Sequence, residues 1–131
     1  MVDTFARVFL GHMVGDYLLQ SKYMAIHKTD RTDDGAKQCI THCAIYTVAV
    51  MTFLQSLNPV IICLVFLSHW PIDRNSLATF WLKFINGRDL KTEFESDEPY
   101  REIRLPFACL VYAAADNTMH LVLLWLITKL I

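Results

Sequence analysis

Apolar residues recur at helical spacing along most of the chain and predict four main helices. The stretch 2–26 has apolar positions at this spacing and contains no proline, so the first helix is expected there. The polar stretch 28–36 is expected to be a loop, and a second helix over 37–57 is apolar on nearly all sides. Asn58-Pro59 then marks a turn, with the proline suited to the first turn of a third helix.

Two prolines shape the expected second half of the chain. Pro71 falls inside the third helix, and we expect it to kink or break that helix because proline removes a backbone hydrogen bond. An amphipathic helix follows, with an aromatic-rich apolar face typical of a helix at the surface of a bilayer. That face is formed by Leu77, Phe80, Trp81, Phe84 and Ile85. Residues 88–102 predict a charged loop, and Pro106 is expected to open a last helix that ends near Leu130.

The charged residues are distributed unevenly, and this changes the class of protein that the helices predict. The stretch 38–72 has no Asp, Glu, Lys or Arg over 35 residues, and 105–131 has only Asp116 and Lys129. A soluble domain carries charge on every helix, whereas one membrane span takes about 20 apolar residues. We therefore expect an all-α fold, a polytopic membrane helical bundle of about four helices that forms a single domain over 1–131.

The charge balance excludes one class of partner, and the loops indicate an orientation. The 131 residues include 12 Lys+Arg and 13 Asp+Glu, a net charge of −1, which provides no basic excess for binding a nucleic acid. Lysines and arginines concentrate in the two charged loops, whereas the turn at 56–59 has none. By the positive-inside rule, we expect a multi-pass protein of the inner (cytoplasmic) membrane with both charged loops in the cytoplasm.

The cysteines do not indicate a disulfide framework. All four lie in apolar helical context, where a free cysteine behaves as a small buried hydrophobic residue. They are Cys39, Cys43, Cys63 and Cys109. The spacing Cys39-x2-His42-Cys43 resembles half of a zinc site, but the chain has no second Cys/His pair of that type.

Within the charge-poor stretches and beside them, ionisable side chains follow one repeated spacing. Three pairs of His and Asp are separated by three residues, which places both members on one helix face, one turn apart. The pairs are His12 with Asp16, His69 with Asp73, and Asp116 with His120, and His42 lies on the second helix. An ionisable group in a membrane segment costs about 2.5–3.5 kcal/mol on insertion scales, so such residues are candidates for function.

These seven His and Asp side chains predict a metal site inside the bundle. Imidazole suits zinc and iron, carboxylate also suits manganese, and seven ligands exceed one four-coordinate site. We therefore expect two divalent ions, with zinc as the first choice and manganese or iron as alternatives. Gln20 and Asn117 are expected either to orient the ligands or to form hydrogen bonds between helices. Two other interpretations stay open, namely hydrogen-bonded His–Asp pairs without a metal and a proton relay.

The order of these residues resembles the pattern of an uncharacterised family of small bacterial and phage integral membrane proteins, a domain of unknown function. Its signatures are His-x3-Asp-[Phe/Tyr]-x2-Gln near the start, a His after the first loop, a further His-x3-Asp, and Asp-Gln-x2-His near the end. The matching residues are His12, Asp16, Tyr17, Gln20, His42, His69, Asp73, Asp116 and His120, with Asn117 in place of the usual Gln. More loosely, the layout is similar to that of metal-dependent hydrolases of the inner membrane under SOS control, which implies hydrolase chemistry.

Two functional hypotheses follow, and they differ in whether the site catalyses a reaction. In the first, the chain is a metal-dependent hydrolase that acts on a phosphoester of a lipid or lipid-linked substrate. No Glu or Lys is recognisable beside the cluster as a general base, so a ligand Asp would have to serve in that role. In the second, the metal only staples a membrane protein that interacts with a partner, and the acidic stretch 93–102 is a candidate surface for it.

Overall fold

Helices form all of the regular structure in this computed structural model. It describes residues 3–97 and 99–130, and within them lie seven α-helices, one π-helical segment and no strand. The elements are α1 (Thr4–Met13), the π-helical segment (Val14–Leu18), α2 (Lys22–His27), α3 (Asp33–Leu54), α4 (Pro59–Arg74), α5 (Leu77–Asn86), α6 (Leu90–Glu95) and α7 (Arg101–Thr128). The prediction of an all-α fold is confirmed, whereas the expected helix start at Val2 lies outside the described residues.

Four of the helices, α1, α3, α4 and α7, pack against one another as a bundle. Helix α3 contacts α1 and α4, and α7 contacts the same two helices from the other side. Their shared core is apolar and buried, and it consists of Val8, Tyr46, Val50, Met51, Ile61, Val65, Leu124 and Ile127. The short helices lie around this bundle, with α2 against α3 and with α5 and α6 against α7.

Capping residues fix where the helices begin. Ser21 caps α2, Thr32 caps α3 and Asn58 caps α4, and each accepts a hydrogen bond from a backbone N–H in the first turn of its helix. Pro59 occupies the start of α4, where its missing N–H leaves no broken bond. Because Thr32 is the cap, α3 begins inside the stretch that the sequence predicted as a loop.

The first predicted helix is interrupted, so the expectation of one helix over 2–26 is wrong. Helix α1 passes at Met13 into the π-helical segment, and the backbone leaves the helix before Ser21 starts α2. A π-helical turn inserts one residue into the helical repeat and occurs often at functional sites. Here the wider turn carries Asp16, one of the predicted ligands.

Pro71 does not break its helix, and Pro106 does not begin the last helix as the sequence predicted. Helix α4 continues through Pro71 to Arg74, and α7 begins at Arg101 and contains Pro106. Pro71 lies in the last turn of α4 and Pro106 in the second turn of α7, so each proline removes one backbone hydrogen bond near an end of its helix. The predicted charged loop over 88–102 is also shorter than expected, because α6 forms within it.

Two glycines let α1 and the π-helical segment approach α3 closely. A Cβ added at Gly11 would lie 2.8 Å from the Cα of Val50, and one added at Gly15 would lie 2.7 Å from Cδ2 of Tyr46. Both distances are too short for a real side chain, so only glycine permits this contact. The close approach brings the face of α1 that carries His12 against α3.

The cysteine prediction is correct for two residues and wrong for two. Cys39 and Cys43 are buried on α3, whereas Cys63 on α4 and Cys109 on α7 are exposed on the outside of the bundle. All four are free thiols. The apolar helical context therefore identified helices correctly but did not separate inward from outward positions.

One described helix is long and apolar enough to cross a membrane. It is α7, with 28 residues and a mean hydropathy of 1.4 over its most apolar stretch, of which 17% is buried. Helix α4 has 16 residues and α3 has 22, and the turn between them divides the uncharged stretch 38–72. The four-helix membrane bundle predicted from charge distribution is thus matched by a single candidate span among residues 3–97 and 99–130.

Candidate metal centre

The inward-facing residues of all four bundle helices follow one another in steps of four. Each row begins with apolar side chains in the core and continues with polar ones. The rows are Val8, His12, Asp16 on α1 and its π-helical extension; Val50, Tyr46, His42 on α3; Ile61, Val65, His69, Asp73 on α4; and Leu124, His120, Asp116 on α7. Since neighbouring helices run in opposite directions, the polar halves of the four rows meet at one level of the bundle, above the apolar core.

Two overlapping triads of ligand atoms lie at this level. Asp16, His42 and His69 form one triad, and His69, Asp73 and His120 form the other. Within each triad the ligand atoms lie within 4.8 Å of one another. The imidazole of His69 is shared, so the two groups form one continuous cluster of five side chains.

Asp73 is the carboxylate with the most contacts in the cluster. Its Oδ2 lies 3.0 Å from Nε2 of His42 and 3.2 Å from Nε2 of His69, and its Oδ1 lies 3.5 Å from Nε2 of His120. Its side chain is only 2% exposed. A carboxylate buried this deeply requires compensating positive charge or hydrogen bonds, and three imidazoles from three helices surround it.

Asp16 contacts two of the same imidazoles. Its Oδ1 lies 3.3 Å from Nε2 of His42 and 3.5 Å from Nε2 of His69. The two Nε2 atoms of these histidines face each other at 2.9 Å. At this distance one neutral imidazole can donate to the other, and both rings also belong to the triad that Asp16 completes.

Several buried polar atoms of the cluster have no hydrogen-bond partner within the described chain. Two of them are Oδ1 of Asp16 and Nε2 of His120, and both of these residues are members of the triads. The Nδ1 atoms of His42 and His69 are also buried without a partner there. A buried polar atom without a partner, such as Oδ1 of Asp16 or Nε2 of His120, is costly, and imidazole nitrogen and carboxylate oxygen are ligands that zinc, manganese and iron accept. The residues therefore fit a divalent metal.

The structure places His12 beside the triads rather than in them. Its Nε2 donates a hydrogen bond to Oδ1 of Asn117 at 2.7 Å, and its Nδ1 lies 3.1 Å from the hydroxyl of Tyr46 and 3.2 Å from Oδ2 of Asp16. Both ring nitrogens thus have partners outside the two triads. His12 is suited to hold Asp16 in position, which differs from the predicted ligand role.

Asp116 lies at the edge of the cluster. Its Oδ2 is 3.8 Å from Nε2 of His120, and its side chain is 25% exposed, against 10% for Asp16. Five of the seven predicted ligands therefore form the triads, and the remaining two, His12 and Asp116, border them.

The two residues predicted to orient ligands differ in their surroundings. Asn117 accepts the hydrogen bond from His12, and its Nδ2 donates to the hydroxyl of Tyr17 and to the carbonyl of Ala113, both at 2.6 Å. Gln20 lies beyond the π-helical segment, and its Nε2 is buried without a hydrogen-bond partner within residues 3–97 and 99–130. The geometry thus gives Asn117, but not Gln20, an ordered link to the cluster.

Sequence reasoning missed two residues of the site. Lys28 places its Nζ 2.7 Å from Oδ2 of Asp73, although no lysine was expected at the cluster. Burial acts to lower the pKa of Lys28, but the carboxylate of Asp73 outweighs burial, and the pKa is raised above its ordinary value. Tyr46 is the other, and it could have been found, because it follows His42 at the same spacing of four residues as the predicted pairs.

Comparison with known proteins establishes the family of the chain. No curated protein and no solved structure matches the chain. A family model described as "Protein of unknown function (DUF3307)" matches residues 4–131. An uncharacterised family was also what the order of the motifs resembled. Because the match covers nearly the whole sequence, the chain belongs to this family of proteins of unknown function, DUF3307.

Proposed function

We propose that this protein is an integral membrane hydrolase whose His/Asp cluster binds divalent metal and cleaves a phosphoester. One observation carries the proposal. The two triads share His69, and within them Oδ1 of Asp16 and Nε2 of His120 are buried without a hydrogen-bond partner in the described chain. Three imidazoles and two carboxylates suit zinc first, with manganese or iron as alternatives, and two overlapping triads suit a pair of ions. Bound divalent ions supply a water of lowered pKa and stabilise the negative charge that develops on a phosphoryl oxygen.

The protein's own carboxylates have separate parts in this proposal. Asp73 is buried and Asp16 largely so, and each contacts three histidines, so these two carboxylates would hold and orient the metal. Asp116 is the most exposed carboxylate of the set and lies at its edge. We assign Asp116 as the group that accepts the proton of the attacking water, because it combines access to solvent with proximity to His120.

The outside of the bundle supports the membrane placement. Helix α7 is long and apolar enough to span a bilayer, and large apolar side chains point outwards from its neighbours as well. Examples are Ile40 and Val48 on α3, Leu67 on α4, and Leu110 and Val122 on α7. Exposed apolar area on several sides of a small bundle is typical of contact with lipid. In the proposed orientation, the two charged loops face the cytoplasm across the inner membrane.

An apolar groove beside the cluster favours a lipid or lipid-linked substrate. It has a volume of about 470 Å³ and runs between α4, α5 and α7. Three of its residues, Ile72, Ala115 and Met119, directly precede Asp73, Asp116 and His120 in the sequence. A hydrocarbon chain in this groove would bring its headgroup to the exposed edge of the cluster, where Asp116 lies.

Burial of the triads also supports a second candidate, a non-enzymatic metal staple. His42, His69 and Asp73 are at most 4% exposed, and structural metal sites are closed whereas catalytic sites keep an open position. In that case the metal stabilises the bundle, and the protein acts by contact with a partner.

Metal analysis and turnover separate these candidates. The full chain is purified in mild detergent, and its metal content and its hydrolysis of a generic phosphoester and of a lipid extract are measured. His69→Ala removes the shared ligand and is expected to abolish both metal and turnover. His27→Ala is the matched control, because His27 pairs with Asp30 at the surface. Metal without turnover would favour the staple, and a wild-type protein that binds no metal would contradict both candidates.

A further inference from the structure

Lys28 brings a largely buried cation into the cluster from outside the four bundle helices. It follows α2 directly, and its side chain is only 17% exposed. Its Nζ donates to Oδ2 of Asp73 at 2.7 Å. A lysine with this little exposure normally requires a specific partner, and Asp73 is that partner in the described structure.

The loop that carries Lys28 is fastened to the bundle by its backbone. Nη1 of Arg74 donates to the carbonyl of Lys28 at 2.9 Å and to that of Asp30 at 2.5 Å. Gly35 packs so tightly against the backbone of His27 and Asp30 that a Cβ would clash with both. These contacts hold the loop independently of the Lys28 side chain, so the ammonium is delivered to the cluster by the fold itself.

Lys28 and a metal ion would compete for the same oxygen. Oδ2 of Asp73 accepts the bond from Lys28 and also lies 3.0 Å from Nε2 of His42 and 3.2 Å from Nε2 of His69. An ion held by these imidazoles and by Oδ2 would repel an ammonium at the same atom. Without metal, the carboxylates of Asp16, Asp73 and Asp116 outnumber the single ammonium of Lys28, so negative charge is in excess. Two divalent ions would reverse that sign.

We propose that Lys28 is the anion-binding residue of the site, and that metal binding makes it available. Without metal, the ammonium neutralises Asp73; with metal, it turns to the phosphate group of a substrate beside the ions. The inference rests on the proposed metal centre and adds to it a residue that recognises the anionic part of the phosphoester. Lysine is suited to this because its ammonium is a point charge on a flexible stem, and Asp73 already places it next to the triads.

Binding of inorganic phosphate tests the inference without requiring turnover. The detergent-purified full chain is loaded with zinc or manganese, and phosphate binding is measured by calorimetry for the wild type, Lys28→Gln and Lys28→Arg. We expect Lys28→Gln to keep its metal and to bind phosphate roughly 10- to 100-fold more weakly, as the loss of a hydrogen bond to a charged group implies. Lys28→Arg retains the charge and should bind with intermediate affinity. Lys22→Gln removes an exposed lysine from α2 and should bind as the wild type does.

Metal affinity provides the second readout. Because the ammonium competes with metal for Asp73, Lys28→Gln should bind metal about ten-fold more tightly than the wild type. Metal-free wild type should not bind phosphate measurably. The comparison of metal-free with metal-loaded wild type therefore tests the inference without any variant. Equal phosphate affinity of metal-loaded wild type and Lys28→Gln would overturn the inference while leaving the metal centre intact. A wild-type protein that binds no metal would overturn the proposed function together with it.

Discussion

The phenol ring of Tyr46 lies flat against the imidazole of His69, with ring centroids 3.6 Å apart and planes 19° apart. Tyr46 also belongs to the buried apolar cluster of the bundle, and its hydroxyl lies 3.1 Å from Nδ1 of His12. One side chain therefore joins the apolar core to the shared ligand of both triads. The position of His69 therefore depends on its stacking against Tyr46 as well as on its contacts with Asp16 and Asp73.

Substitutions of Tyr46 should separate its packing from its hydroxyl. Tyr46→Phe keeps the stacked ring and loses one hydrogen bond, so the free energy of unfolding should fall by about 1 kcal/mol. Tyr46→Ala leaves a cavity in the core and should reduce it by about 3–5 kcal/mol. Thermal unfolding in detergent measures both.

The exposed residue Tyr100 provides the control, because Tyr100→Phe should change the melting temperature little. If Tyr46→Phe were as destabilising as Tyr46→Ala, the bond to His12, and not the stacking on His69, would be the main contribution of this residue.

The close approach at Gly15 predicts a second effect, on stability and metal content together. Gly15→Ala places a Cβ 2.7 Å from Cδ2 and 3.2 Å from Cα of Tyr46, so the π-helical segment must move away from α3. We expect a loss of about 1–3 kcal/mol of stability, as for an overpacked core, and a loss of bound metal because Asp16 moves with the segment.

Gly87→Ala is the matched control for this substitution. Gly87 has a φ of 63° and no atom within 4 Å of an added Cβ, so alanine there strains the backbone without touching the cluster. It should destabilise the protein and leave the metal content unchanged. Equal metal loss in both variants would show that Gly15 acts through general stability only.

The site could be predicted from the sequence where it depends on helical spacing, and not where it depends on loops or on tertiary contacts. The four-residue steps identified Asp16, His69, Asp73 and His120, because residues four apart share a helix face in any fold. His42 was identified as an ionisable residue inside the uncharged stretch 38–72. Lys28 lies in a loop, and only the contacts of that loop with Arg74 bring it to Asp73. No periodic pattern carries that information.

The helix boundaries and the role of His12 also depend on contacts that helical spacing does not reveal. A helical pattern through 2–26 is compatible with one helix, but the π-helical turn and the cap at Ser21 divide it. His12 was correctly placed on the inward face of its helix. Its ring nitrogens are occupied by Asn117 and Tyr46, and this depends on how α7 and α3 pack against α1.

Bound metal should stabilise the folded protein, and acid should remove it. A ligand that binds only the folded state adds about 2.7 kcal/mol of stability at 100 times its dissociation constant. We expect a chelator to lower the melting temperature of the wild type and to leave that of His69→Ala unchanged. Because imidazoles must be neutral and carboxylates ionised to bind metal, affinity should fall as the pH is lowered. A chelator effect of equal size in His69→Ala would place the metal elsewhere.

The ion pair of Lys28 and Asp73 predicts a pH dependence of the metal-free protein at the alkaline end. The pKa of Lys28 is raised in the folded state, so its contribution to stability is complete below the ordinary lysine value of about 10.4. That contribution is lost as the pH rises through the higher pKa of the folded protein. In thermal unfolding, the melting temperature of the wild type should therefore decline more steeply above pH 10.4 than that of Lys28→Gln. Parallel curves for the two proteins would contradict a stabilising pair.

The two exposed cysteines test the membrane placement. Cys63 on α4 and Cys109 on α7 are open to solvent in the isolated bundle, so a water-soluble protein should react quickly at both with a charged maleimide. In the proposed placement, lipid covers both, and in intact inner-membrane vesicles they should react only after denaturation in a strong detergent. Lys91→Cys, on the exposed helix α6 of the second charged region, is the positive control and should react from the cytoplasmic side alone. Rapid labelling of Cys63 and Cys109 in the native protein, together with recovery of the protein in the aqueous fraction, would contradict the placement, because lipid would then not cover these helix faces.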